Sequence, residues 1–205
     1  MGMDSLAQLA LEDFLERLGS KAPVPGGGAA AGVTGSIGAA LALMVVNYSI
    51  GRKNLADHQE QLGAMAKELQ GLRAQMVRLA DEDASAYAAL SALWGLPKED
   101  PKRADGWGAA LDRAIAVPTG IMDAGAGLLE LCARLAPICN RNLLSDLAGA
   151  SALAEACVRA AGQNVRVNAA MLDDQDEAKR LMADLENRRA RAGEARAAIE
   201  KACGS

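Results

Sequence analysis

The sequence predicts an all-α protein, a compact helical bundle built around one long, uncharged and buried central helix. Hydrophobic residues make up 51 % of the chain, whereas aromatic residues, which strands favour, make up only 2 %. Alanine and leucine fill the periodic apolar positions, and neither loses much side-chain freedom in a helix. No charged residue occurs from Ala29 to Ile50, and this segment is therefore predicted to be the central helix.

Length and hydrophobic content predict a single domain over residues 1–205. A chain of 205 residues can bury one substantial core. The 22 basic and 26 acidic residues are interspersed along the predicted helices, which argues against a nucleic-acid-binding surface.

The four cysteines show no CxxC spacing and no signal peptide is recognisable, so we expect reduced thiols in the cytoplasm. With His58 as the single histidine, we expect no zinc site.

Apolar periodicity and helix-breaking residues predict six helices. They cover residues 5–19, 29–50, 55–96, 107–135, 146–172 and 174–201. Ser5 and Gln8 form a capping box for the first helix, and Ser145 is a good N-cap for the fifth. Pro101 is expected in the loop before the fourth helix, which Pro118 could kink.

The uncharged segment 29–50 is also long enough to cross a bilayer. Alanine and glycine dominate it, and it contains polar residues such as Thr34 and Asn47, whereas membrane helices gain insertion energy from larger apolar side chains. We therefore expect a buried bundle helix and no membrane partner, with a membrane-embedded module as the alternative.

Pro25, Gly26, Gly27 and Gly28 directly precede the uncharged helix. Free backbone amides and the positive end of a helix together favour binding of an anion or a partly negative oxygen. A tight turn into a packed helix would explain the same residues. The loop is a candidate substrate-binding backbone on the first interpretation.

Arg52 and Lys53 follow the far end of the same helix. They could bind a dianionic ligand, or they could simply complement the negative helix end. Both interpretations remain open on the sequence.

Acidic residues inside the third helix are the other chemical candidates. Asp83 and Tyr87 lie one turn apart on a side of the helix that also carries core residues. Burial of a carboxylate there costs free energy, so we expect it to have a catalytic role or a charged or hydrogen-bonding partner. Asp81 and Glu82 are expected on a solvated face. Asp146 follows a polar connection and is a further candidate, although a first-turn acid also suits the helix dipole.

Seven segments in order along the chain carry a family resemblance. They are APVPGGGAAA at 22–31, IGRK at 50–53, DEDASAY at 81–87, LPK at 96–98, AVP at 116–118, NRNLLSD at 140–146 and NVRVN at 164–168. Together they resemble the formiminotransferase-cyclodeaminase C-terminal domain and the related stand-alone methenyltetrahydrofolate cyclohydrolases of bacteria, over nearly the whole chain. The sequence departs from the pattern at Ala29, where a serine is common, and at Cys139, where a glycine is common.

This resemblance implies a compact all-α bundle that pairs into a homodimer and takes a tetrahydrofolate derivative as substrate, without a cofactor. It assigns the proton-transferring role to Asp83. It further implies that the folate site is lined or supported by the glycine loop and by Arg52, Lys53, Asn140, Ser145 and Asp146.

The activity that the resemblance favours is hydrolysis of 5,10-methenyltetrahydrofolate to 10-formyltetrahydrofolate. The GGGAAA and NYSIGRK stretches look closer to the stand-alone enzymes, and we expect a stand-alone domain without a fused formiminotransferase. The first alternative is a formiminotetrahydrofolate cyclodeaminase that releases ammonia. The second is a helical module that binds folate and has lost its activity.

Overall fold

Six α-helices and four short 3-10 turns account for the fold in the computed structural model, which describes residues 5–204. The helices are α1 (Leu11–Gly19), α2 (Gly27–Asn47), α3 (Gln59–Trp94), α4 (Pro101–Leu135), α5 (Leu144–Ala169) and α6 (Gln175–Cys203). No strand occurs in the described range, and the all-α prediction is confirmed. Residues 1–4 and 205 of the predicted domain lie outside that range.

Helix α2 runs through the centre of the bundle, packed against α3 and α5. Glycines let these helices approach closely. A Cβ atom at Gly32 would lie 2.9 Å from the carbonyl oxygen of Met76 in α3, and one at Gly35 would lie 2.7 Å from Sγ of Cys157 in α5. Both distances are shorter than real contacts allow, so the sequence's small residues set the spacing of the three helices.

Two helical stretches, α2 and the segment from Pro101 to Ile138, are long and apolar enough to cross a bilayer by length and composition. The bundle buries 56 % of the most apolar part of the first and 61 % of that part of the second. Core helices of a bundle pass the same test, so these stretches are weak evidence for a membrane span.

The predicted starts of α1, α4 and α5 were wrong. Helix α4 begins at Pro101, since the Asp100 side chain accepts from the backbone N–H of Lys102 and proline suits the first helical position. Helix α5 begins before Ser145, which lies in its first turn and does not cap it. Helix α1 begins only at Leu11.

The segment before α1 is tied to α3. The Ser5 hydroxyl donates to Oδ2 of Asp81 and the Leu6 backbone N–H donates to Oδ1, both at 2.7 Å. Asp81 was expected on a solvated face, and that expectation was wrong. Its carboxylate attaches the N-terminal segment to α3 two residues before Asp83.

Candidate functional site

Asp83 lies where α3 faces the N-terminus of α2. The backbone N–H of Ala29 donates to its carboxylate. A Cβ atom at Gly28 would lie 2.1 Å from Oδ1 of Asp83 and 2.4 Å from Oδ2, so only glycine leaves room for the carboxylate. The positive end of α2 thus holds an acid of the protein itself, and the expectation that it holds a ligand anion needs correction.

Burial raises the pKa of Asp83 from 3.8 to about 6, and the hydrogen bond from Ala29 opposes this with a smaller effect. At neutral pH the carboxylate is therefore mostly ionised, yet its proton affinity lies close to the ambient pH. A group tuned in this way can accept a proton and return it within one reaction.

A cavity of about 280 Å³ opens beside this carboxylate. Its walls are formed by Pro23, Val24, Gly26, Gly27, Asp83, Ala86, Tyr87, Ala114, Asn164, Val167 and Asn168. This volume is at the small end for ligand sites, so it suits a small molecule or one end of a larger one better than a whole elongated molecule. We call it the Asp83 cavity.

The glycine loop divides into two pairs at this cavity. Gly26 and Gly27 form part of the wall and can approach a ligand with their backbone. Pro25 and Gly28 are buried behind it, and the peptide bond that joins Val24 to Pro25 is cis. The predicted binding loop therefore contributes two glycines to the wall and one glycine, Gly28, to the placement of Asp83.

Two asparagines of the wall, Asn164 and Asn168, were missed as site residues. The Asn164 amide lies 3.5 Å from the position of a Cβ at Gly27. The Asn168 amide donates to the backbone oxygen of Ala114 at 2.6 Å. The available signal was their spacing in NVRVN, since polar residues four apart share one helix face.

The remaining predicted site residues lie at the opposite end of α2. Arg52 and Lys53 are exposed just beyond its C-terminus. The backbone N–H of Asn140 donates to the Ser49 hydroxyl at 2.8 Å, which fixes the start of the α5 region at the same end.

Ser145 and Asp146 occupy the first turn of α5, as predicted for the acid. With 21 residues, α2 is roughly 30 Å long. One chain therefore does not bring the second cluster, which we define as Arg52, Lys53, Asn140, Ser145 and Asp146, to the Asp83 cavity.

A larger groove of about 680 Å³ runs along α4 and α6. Several of its charged side chains neutralise one another, because Arg188 pairs with both Asp123 and Asp184. The charges on its wall are therefore engaged with one another, which makes this groove a weaker candidate for acid-base chemistry than the cavity beside Asp83.

The cysteines are poor candidates for nucleophiles. All four are free thiols. Burial raises the pKa of Cys132 and of Cys157 to about 12, so neither forms an appreciable thiolate at neutral pH.

Within residues 5–204, no group of three or more His, Cys, Asp or Glu side chains is arranged to hold a metal ion.

Fold and site together define an all-α protein that carries a partly buried carboxylic acid with a raised pKa at a helix N-terminus, beside a small cavity. Residues 10–187 match the family described as formiminotransferase-cyclodeaminase. The chain belongs to this family.

Relatives of two kinds are similar to the chain. A methenyltetrahydrofolate cyclohydrolase from Methylorubrum extorquens is 36 % identical over 187 residues, which cover 89 % of this chain and 90 % of that protein. The formimidoyltransferase-cyclodeaminase of Mus musculus is 32 % identical over 168 residues, which cover 80 % of this chain but only 31 % of that protein.

A solved structure has the same fold. The crystal structure of formiminotetrahydrofolate cyclodeaminase from Thermotoga maritima superimposes with a TM-score of 0.88 at 25 % identity, covering 97 % of each chain. This chain therefore shares its helical bundle, over nearly its whole length, with a protein that is named as a cyclodeaminase.

Proposed function

We propose that this protein hydrolyses 5,10-methenyltetrahydrofolate to 10-formyltetrahydrofolate. The observation that carries the proposal is Asp83, an acid with a pKa of about 6 at the wall of a cavity that suits a pterin head group. The relative matched over 90 % of its own length bears the name of this activity, which supports the choice of reaction.

The first step uses the charge of Asp83. The methenyl bridge between the two folate nitrogens is a cation, and an ionised carboxylate beside it stabilises that charge in a partly buried site. Asp83 orients a water molecule and takes one of its protons as the oxygen bonds to the bridge carbon. The product of this step is a neutral tetrahedral intermediate that carries a hydroxyl group.

The second step breaks the bond between the bridge carbon and N5. Asp83 returns its proton to N5 as that nitrogen leaves, and the hydroxyl proton departs to solvent as the formyl C=O forms on N10. The sum is addition of one water and release of one proton. Because the reaction consists of water addition, cleavage of one C–N bond and proton transfers, we propose that no cofactor takes part.

The second candidate function is that of a formiminotetrahydrofolate cyclodeaminase, favoured by the likeness to the Thermotoga maritima structure. In that reaction a folate nitrogen attacks the formimino carbon, and the intermediate expels ammonia. Asp83 would accept the proton of the attacking nitrogen and protonate the leaving ammonia. Both reactions thus need the same carboxylate.

An assay with both folates separates the two activities. Purified protein is supplied with the methenyl compound, whose absorbance is followed, and in parallel with the formimino compound, from which ammonia is measured. We expect loss of methenyl absorbance faster than the spontaneous rate and no release of ammonia. Ammonia release alone would establish the second candidate instead, and acceleration of neither reaction would refute both.

We further propose a homodimer in which the second cluster of one protomer serves the Asp83 cavity of its partner. A separation of roughly 30 Å within one chain is too long for one head group to bridge. Exposed Ile37, Tyr48 and Ile50 on or next to α2 would be covered in such a dimer. Arg52 and Lys53 would then attract the carboxylates of the substrate's glutamate tail.

A cytoplasmic location remains a prediction. The buried free thiols of Cys132, Cys139 and Cys157 support it, because free thiols are usual in reducing compartments. Fractionation of cells that express the protein would test it.

A further inference from the structure

Helix α4 passes through Pro118 without a break, and this leaves one carbonyl without its helical donor. In an α-helix the N–H of each residue donates to the carbonyl four positions earlier, and proline has no N–H. The carbonyl oxygen deprived by Pro118 is that of Ala114, a buried residue of the cavity wall.

Asn168 supplies the missing hydrogen bond from another helix. Its Nδ2 donates to the oxygen of Ala114 at 2.6 Å. A carbonyl oxygen can only accept, so this contact requires the NH₂ side of the amide to face Ala114. Pro118 thereby determines the orientation of the Asn168 amide, with Nδ2 toward Ala114 and Oδ1 away from it.

The orientation of this amide matters because Asn168 lies at the wall of the Asp83 cavity. No donor among residues 5–204 reaches its Oδ1 atom. The amide therefore presents a free acceptor and a second N–H whose positions are fixed. Both are adapted to the hydrogen-bonding edge of a fused heterocycle, where ring N–H groups, an amino group and a carbonyl lie side by side.

We propose that Asn168 is a specificity residue that binds the polar edge of the substrate's bicyclic ring, and that Pro118 is a positioning residue that acts through it. This inference rests on the proposed function for the identity of the ring. Pro118 on α4 and Asn168 on α5 would then act together in binding the ring, although they lie far apart in the sequence.

Four proteins form the test: the wild type, Pro118→Ala, Asn168→Ala and the double variant. Alanine at position 118 restores an N–H for Ala114, which frees the Asn168 amide to rotate. The measurements are KM and kcat with the methenyl folate, the Kd of tetrahydrofolate by calorimetry, and the melting temperature. Gln163→Ala, an exposed position on α5, is the control and should match the wild type.

The expected result is a KM and a Kd roughly tenfold higher in Asn168→Ala, as for loss of a hydrogen bond to a ligand, with the pH dependence of kcat unchanged. Pro118→Ala should raise KM several-fold alone and not at all in the Asn168→Ala background. The melting temperature should fall in Asn168→Ala and partly recover in the double variant, since Ala114 regains a donor.

Unchanged KM and Kd in Asn168→Ala would overturn the specificity role while leaving the proposed function intact. Equal effects of Pro118→Ala in both backgrounds would overturn the positioning role. A wild type that turns over no folate would refute the proposed function. In that case the four melting temperatures would still decide whether Pro118 acts through Asn168.

Discussion

The carboxylate of Asp83 stands in the space that a side chain at position 28 would fill, with Oδ1 only 2.1 Å from the position of a Gly28 Cβ. The two residues lie on different helices and far apart in the sequence. Because this contact leaves no room for a Cβ atom, it explains why position 28 of the loop is a glycine. It also holds the acid at the positive end of α2, next to the cavity.

Gly28→Ala should abolish most activity because the new methyl group displaces Asp83. We expect kcat/KM to fall by about 100-fold, the usual cost of moving a reacting group by about 1 Å, and stability to fall by about 1–3 kcal/mol from overpacking. The matched control is Gly71→Ala, an exposed helical position with no neighbour within 4 Å, which should keep full activity. Equal behaviour of the two variants would refute the contact.

The activity should depend on pH through Asp83. Because the ionised form acts as the base and its pKa is raised to about 6, kcat/KM should decline about tenfold per pH unit below that value and level off above it. Initial rates from pH 5 to 8, corrected for the spontaneous reaction, measure this. A flat profile across the range would mean that Asp83 does not transfer the proton.

The same pKa predicts how stability changes with pH. The folded state favours protonated Asp83, so this contribution is fully present below about pH 4 and disappears as the pH rises through about 6. Asp83→Asn lacks the effect. Its free energy of unfolding, relative to the wild type, should therefore increase by up to about 3 kcal/mol between pH 4 and pH 8.

Urea titrations of both proteins at the two pH values give that difference, in which groups shared by both proteins largely cancel. A constant difference would show that the raised pKa of Asp83 is not a property of the folded protein.

Asp81 should be a structural acid without a share in the chemistry. Asp81→Ala removes the acceptor for the Ser5 hydroxyl and the Leu6 N–H, so we expect a loss of about 1–3 kcal/mol in stability. Asp81→Asn keeps an acceptor for Leu6 and should lose less. The pH profile of kcat should stay as in the wild type for both, and a shifted profile would place Asp81 in the reaction.

Much of the fold was predictable because apolar periodicity and an uncharged central segment report on burial directly. The start of α4 was not, because Pro101 acts as a first helical residue only in combination with the Asp100 cap. Asp83 was identified as a candidate from its apolar surroundings. Its packing against Gly28 is a tertiary contact between helices, which no local pattern encodes.

Asn168 escaped prediction for a similar reason, since its proposed role depends on a carbonyl that Pro118 leaves without a donor on another helix. The second cluster was grouped with the glycine loop by family resemblance. Because α2 separates the two by its full length, only an assembly of two chains could unite them.

Combining two impaired variants in one dimer tests that assembly. In a shared site, a dimer of Asp83→Asn with the Arg52→Ala/Lys53→Ala double variant has one intact site, formed by the Asp83 of one protomer and the cations of the other. Co-expressed and purified together, the pair should be more active than the average of the two parents. Activity no greater than the average of the parents would contradict a shared site.

The central claim is that Asp83 transfers the proton while other residues bind the folate. The most direct measurement compares Asp83→Asn with the wild type at pH 7, using kcat for the methenyl compound and the Kd of tetrahydrofolate. We predict a decrease in kcat of about 100-fold or more with Kd changed by no more than about threefold. A variant that keeps wild-type kcat, or a wild type that binds folate without turning it over, would contradict the claim.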